Sequence, residues 1–125
     1  DPEIVLDVAH NPEAARALAA NLRASPAPGR NYAVFAMLAD KDAAGVIEAL
    51  AGCFSAWFVA GLSGPRGQGG EALARQVAAV TGGAVSIHAN PEQALHAARM
   101  QAGDGDRITV FGSFHTVAEV LQTLS

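Results

Sequence analysis

The stretch Ile4-Val5-Leu6-Asp7-Val8-Ala9-His10-Asn11-Pro12 changes its periodicity midway. Its first half is an apolar run of the kind that forms a strand. Asp, His, Asn and Pro then follow within six residues. Beyond Pro12 the apolar residues Ala14, Ala15, Leu18, Ala19 and Leu22 fall on one face of a helix. Asn11 suits the N-cap, Pro12 the first helical position, and Glu13 the positive end of the helix dipole. The reading is a strand over Glu3–Val8 feeding a helix over Pro12–Ala24, with polar side chains at the strand's carboxyl end. In open α/β sheets ligands bind at that edge.

The same unit recurs along the chain. Ser25-Pro26-Ala27-Pro28-Gly29 breaks the first helix, and Asn31–Leu38 reads as a nearly all-apolar strand. A helix is predicted from about Asp42 to Ala51, a buried strand over Cys53–Ala60, and a glycine-rich loop from Gly61 to Gly70. A helix over Glu71–Val80, a short strand over Ala84–His88, and a helix from Pro91 to about Ala102 follow, the last capped by Asn90. Arg107–Phe111 is a fifth strand. A final helix places Val117, Val120, Leu121 and Leu124 on one face, with Thr116 and Glu119 spaced as a capping box. Five strand–helix repeats with crossovers of helical length call for parallel pairing and right-handed connections. The expected fold is α/β, a Rossmann-like doubly wound, mostly parallel sheet of about five to six strands with helices on both faces.

Composition narrows the function. The 125 residues suit a single domain with its own core, and half of them are apolar. The net charge is −4 and no basic stripe occurs, which disfavours nucleic acid as a partner. Cys53 is the sole cysteine, so a disulfide framework is excluded and a structural role for the thiol is expected, as in a cytoplasmic protein. No apolar run reaches the length of a membrane span and no signal peptide is visible. The chain opens on Asp1-Pro2, which reads as a C-terminal piece of a larger protein.

A parallel sheet gathers its strand ends on one edge. There the sequence places Asp7 and His10; Asp40, Lys41 and Asp42; Ser63 and Arg66; Asn90; and Ser113, His115 and Thr116. Asp7 suits ribose hydroxyls or a metal-bound water. Arg66, on the Gly64-Pro65-Arg66-Gly67 loop, suits a carboxylate or phosphate. Gly112-Ser113 can offer a backbone N–H and a hydroxyl to an anion. Lys41 is the only lysine. The chain lacks a G-x-x-x-x-G-K-[ST] phosphate loop, a G-x-G-x-x-G fingerprint and a G-x-S-x-G elbow, and it has no evident metal-ligand set. It carries anion-handling groups without a complete catalytic apparatus.

Leu6-Asp7-Val8-Ala9-His10-Asn11-Pro12, Met37-Leu38-Ala39-Asp40-Lys41-Asp42, Gly64-Pro65-Arg66-Gly67 and Phe111-Gly112-Ser113-Phe114-His115-Thr116-Val117 together resemble the C-terminal domain of the Mur ligase superfamily. Within it they look like the bifunctional dihydrofolate synthase/folylpolyglutamate synthases of bacteria. The resemblance runs from about Ile4 to the end. It implies an ATP- and Mg2+-dependent ligase that joins L-glutamate to dihydropteroate or a folate through an acyl phosphate. An N-terminal ATPase domain of the same polypeptide would hold the phosphate loop and most magnesium ligands, so this domain alone would be inactive. The resemblance assigns ATP contacts to Asp7 and His10, and glutamate contacts to His10, Arg66 and Ser113. Lys41, Asp42 and His115 complete the candidate set, with no metal ligand. It also implies one antiparallel strand, to be sought at Ala84–His88 or Arg107–Phe111. The protein is expected to be a cytoplasmic monomer with neither nucleic-acid nor membrane partners. Two other readings are a non-catalytic α/β ligand-sensing module and the C-terminal domain of a muramyl-peptide ligase. Gly112-Ser113-Phe114-His115 argues against the second.

Overall fold

A computed structural model describes residues 1–39, 41–62 and 69–124. Five strands alternate with five helices: β1 (Glu3–Leu6), α1 (Pro12–Ala24), β2 (Asn31–Phe35), α2 (Ala43–Leu50), β3 (Ala56–Ala60), α3 (Gly70–Thr81), β4 (Ala84–His88), α4 (Pro91–Gln101), β5 (Arg107–Phe111) and α5 (Phe114–Leu124). The sheet order is β1-β5-β2-β3-β4. All four pairings are parallel, as the crossover lengths required. The antiparallel strand implied by the resemblance is absent from both places named for it. β4 runs parallel to β3, and β5 runs parallel to both β1 and β2. The reason is α4, which carries the chain back across the sheet between β4 and β5, so that each strand starts from the same edge.

Period-2 alternation along the central strands builds two cores. Ala33, Phe35, Trp57, Val59 and Phe111 face α1, α2 and α3. Tyr32, Val34, Phe58, Ile108 and Val110 face α4 and α5. On the first side Phe35, Phe54, Trp57 and Phe111 form one aromatic cluster, with ring centroids 4.9–5.8 Å apart. Cys53 packs half-buried against this cluster. Burial pushes its thiol upward while Arg23 pulls it back, which suits a structural rather than a nucleophilic thiol.

Three strands are shorter than their apolar runs. β1 ends at Leu6 rather than Val8, β2 at Phe35 rather than Leu38, and β3 begins at Ala56 rather than Cys53. Ala36 and Met37 are fully buried, yet β5 stops pairing beside them because Gly112 turns away with φ at +120°. Cys53 and Phe54 are apolar because they pack on the core, in a turn where Cys53 N–H bonds Leu50 O. Burial and ladder membership leave the same mark on sequence, and here they part company.

The capping box at Thr116 is likewise displaced. α5 starts three residues earlier than that box requires, and Ser113 takes the cap by accepting the Thr116 N–H at 3.0 Å. Val120 and Thr116 are buried, whereas Leu121 and Leu124 are exposed.

Thr109 is fully buried between Val5 of β1 and Ala33 of β2, and its hydroxyl has no hydrogen-bond partner among the described residues. Thr109→Val should therefore stabilise the domain, by about 1 kcal/mol, since it removes an unsatisfied polar atom at nearly constant shape. An upward shift in denaturant midpoint with unchanged m-value would show it; a downward shift would contradict it.

Candidate functional site

The topology opens a crevice at one place. β5 lies between β1 and β2. The helices after β1 and β2 cover one face, while the helix after β5 covers the other. The three connections must diverge at the carboxyl edge, which is where doubly wound sheets bind ligands.

The first connection leaves β1 with Asp7 N–H still bonded to Val110 O at 2.9 Å. Asp7 Oδ1 accepts the Ala9 N–H at 2.8 Å, which turns the chain. His10 Nδ1 then lies 2.8 Å from Val8 O. A carbonyl can only accept, so Nδ1 carries a proton and Nε2 is the nitrogen left for other partners. Asn11 caps α1 through Ala14 N–H, with Pro12 behind it, as the sequence indicated.

The second connection brings Lys41 to the edge. Its N–H bonds Leu38 O, and its own carbonyl accepts from Ala43 N–H. Asp42 is the N-cap of α2, accepting the Gly45 N–H at 3.0 Å. A Cβ on Gly45 would lie 2.5 Å from Pro12 Cγ, so α1 and α2 begin against one another only because that residue is glycine.

The third connection is the most constrained. Gly112 places Ser113 at the start of α5. Thr116 Oγ1 donates to Ala36 O at 2.9 Å. That hydroxyl proton being used, the 2.9 Å contact between Ser113 Oγ and Thr116 Oγ1 has Ser113 as donor. Ser113 is buried, its oxygen accepts the capping N–H and its hydroxyl proton is committed to Thr116 Oγ1. The backbone N–H groups of Phe114 and His115, in the first turn, have no partner among the described residues. They are the donors that α5 can offer an anion.

His10, Leu38, Lys41, Ser113, Phe114 and His115 line one cavity of about 290 Å³. No carboxylate is among these residues. With a net charge of −4 on the whole chain, this edge is locally suited to anions by one ammonium and the N-terminus of α5.

Four of the candidate residues are therefore brought together: His10, Lys41, Ser113 and His115. Asp7 is not among them. It follows Glu3 and Val5 along β1 and lines a separate groove of about 200 Å³ under α1, together with Arg107. Asp42 is exposed and serves as a helix cap. Asn90 caps α4 through Gln93 N–H. Arg66, Ser63 and Asp40 lie outside the described residues. Phe114 is a lining residue the sequence did not single out. Its ring is 67% exposed, with its centroid 6.2 Å from that of His10. An aromatic at the first position of a helix that opens on a strand end was the available signal. Among the described residues no group of three or more His, Cys, Asp or Glu converges to hold a metal ion.

The profile of the family described as "Mur ligase, glutamate ligase domain" matches residues 1–114. The dihydrofolate synthase/folylpolyglutamate synthase of Escherichia coli K12 is 42% identical over 123 residues, which is 98% of this chain and 28% of that protein. The structure of E. coli FolC in complex with DHPP and ADP superposes with a TM-score of 0.90 at 39% identity, covering 97% of this chain and 28% of that one. A bifunctional folylpolyglutamate synthase/dihydrofolate synthase with Mn, AMPPNP and L-glutamate bound gives a TM-score of 0.88 at 40% identity, covering 98% and 29%. This chain thus spans a little over a quarter of the length of the relatives it matches.

Proposed function

Because this chain belongs to the Mur ligase family as a glutamate ligase domain, we propose that it is the C-terminal domain of an ATP-dependent ligase that adds L-glutamate to dihydropteroate or a folate. The observation that carries the reading is the cavity at the β1–β5–β2 edge. ATP, an acyl phosphate and glutamate are all anions, and the groups facing that cavity suit anions.

In this reading the N-terminal domain of the same polypeptide brings the nucleotide and the acyl acceptor. The present domain closes over them from above. Lys41 and the free amides of α5 meet a phosphate or the glutamate carboxylate. His10 and His115 stand beside them, and Ser113 acts by holding α5 in place rather than by donating its own proton. Asp7, which keeps Oδ1 on the Ala9 N–H, serves a ribose hydroxyl with its other oxygen. Arg66 serves the glutamate carboxylate. Closure excludes water from an intermediate that water would hydrolyse. Mg2+ would supply charge neutralisation at the ATP phosphates. The described residues provide no ligand set for it, so its ligands are assigned to the other domain. No described helix is long and apolar enough to cross a membrane, and we place the enzyme in the cytoplasm as a monomer.

The full-length protein, supplied with ATP, Mg2+, L-glutamate and either dihydropteroate or tetrahydrofolate, should release ADP and a glutamylated product in step. The present chain alone should yield neither. Ligation by the isolated chain would overturn the shared-site reading. Absence of any glutamylated product from the full-length protein would overturn the activity.

A further inference from the structure

We propose that Phe114 is a specificity-determining residue, whose ring favours the amine of glutamate over water as the nucleophile; this rests on the ligase reading above. Packing of the fold does not account for an aromatic at this position. Phe114 belongs to neither core. The residues that α5 buries are Thr116 and Val120. Phe114 instead opens α5 on the wall of the cavity while 67% exposed. The ring of His10 meets it from the β1–α1 connection, with centroids 6.2 Å apart. Leu38 adds a second apolar side chain to the lining from the β2–α2 connection. The cavity thus joins one ammonium, that of Lys41, to an aromatic wall that solvent reaches until another surface covers it.

Such a wall has a use at a centre that water can attack. Water and the amine compete for the same carbonyl carbon. With the amine, the C–N bond forms, the C–O bond to phosphate breaks with its electron pair on the phosphate oxygen, and the amide is made. With water, a C–O bond forms in place of the C–N bond and the same bond to phosphate breaks. The acceptor carboxylate is then restored, and one ATP has been spent for no product. In both cases the nucleophile's surplus protons pass to phosphate and solvent, and no oxidant or reductant is needed. An apolar ring holds no water by hydrogen bonds, yet it can cover the two side-chain methylenes of glutamate. Excluding water there also strengthens the hold of Lys41 on an anion, because the local dielectric falls. The exposed ring is the part of this wall that the closing N-terminal domain would cover.

The readout is the ratio of ADP released to glutamylated product. It is measured in the full-length ligase at saturating ATP, acyl acceptor and L-glutamate. In wild type the two appear in step. In Phe114→Ala the ratio is expected to rise about 10-fold, the size of a 1.4 kcal/mol loss of preference for amine over water. The excess ADP should require the acyl acceptor, and Phe114→Leu should restore part of the coupling. A melt of the alanine variant that coincides with the parent would accompany this, since the ring lies outside both cores. A residue that merely supports the fold would lower both products together and leave the ratio unchanged. An unchanged ratio, whether both rates fall or neither does, would overturn the proposal. So would excess ADP that appears without the acceptor. A wild-type protein that forms no glutamylated product would overturn the ligase reading itself.

Discussion

Gly112→Ala is expected to be the most damaging single-methyl change on the carboxyl edge. The residue holds φ at +120°, where L side chains are strained. A Cβ there would sit 2.0 Å from Ala36 O and 2.9 Å from Ala36 C. Both are backbone atoms of a fully buried residue, so neither can swing aside. The strain and the forced separation of β5 from the extension of β2 together should cost about 3 kcal/mol and lower Tm by about 10 °C in a chain of this size. The damage should reach the cavity as well. Ala36 O is the acceptor for Thr116, and Thr116 fixes Ser113. Thermal melts followed by circular dichroism test this, with Gly52→Ala as the control. A Cβ on Gly52 meets nothing within 4 Å, and no positive φ is needed there, so it should be neutral or slightly stabilising. A Gly112→Ala melt that coincides with the parent would show that the turn relaxes freely and that glycine is not required.

Lys41→Ala should have the second large effect, on catalysis rather than folding. Lys41 is exposed and lies on a turn held by main-chain bonds. Removing its side chain should therefore leave Tm nearly unchanged. The loss of one ammonium facing an anionic substrate should lower kcat/KM of the full-length ligase about 100-fold, in line with the loss of one charge-assisted contact. Lys41→Arg should recover part of this, because the charge returns on a differently shaped head. A kcat/KM equal to wild type in the alanine variant would remove Lys41 from the site. A matching fall in Tm would instead assign it to the turn.

Asp7 and Lys41 show where reading residues along the chain succeeds and where it stops. Both stand at strand ends, and the period change at residues 4–12 and the polar break after Leu38 place them there. The parallel topology, the caps at Asn11 and Asn90, and the gathering of His10, Lys41, Ser113 and His115 follow from local patterns, because strand–helix alternation leaves one edge for every strand end. Side-chain direction does not follow so simply. Asp7 shares the face of Glu3 and Val5 and so lines the groove under α1 instead of the cavity. That is set by the pleat and by which face α1 covers.

Ser113 is a second case. A Ser after Gly at the end of a strand can be a cap or a donor to ligand, and the motif is compatible with both. The choice is made by Thr116, whose single proton goes to Ala36 O and thereby claims the proton of Ser113. Ala36 lies 80 residues away in sequence. Gly112 is similar. Its need for glycine comes from the approach of Ala36, which no window around residue 112 contains.

By itself the sequence determined the elements, their parallel order of travel and the edge on which the chemistry lies, because periodicity, caps and crossover length are local and physically sufficient for those. Only the tertiary structure decided the strand order β1-β5-β2-β3-β4, the crevice that order opens, the tautomer of His10 and the commitment of Ser113. These depend on contacts between residues far apart in the chain, whose energies exist only once the sheet has brought them together.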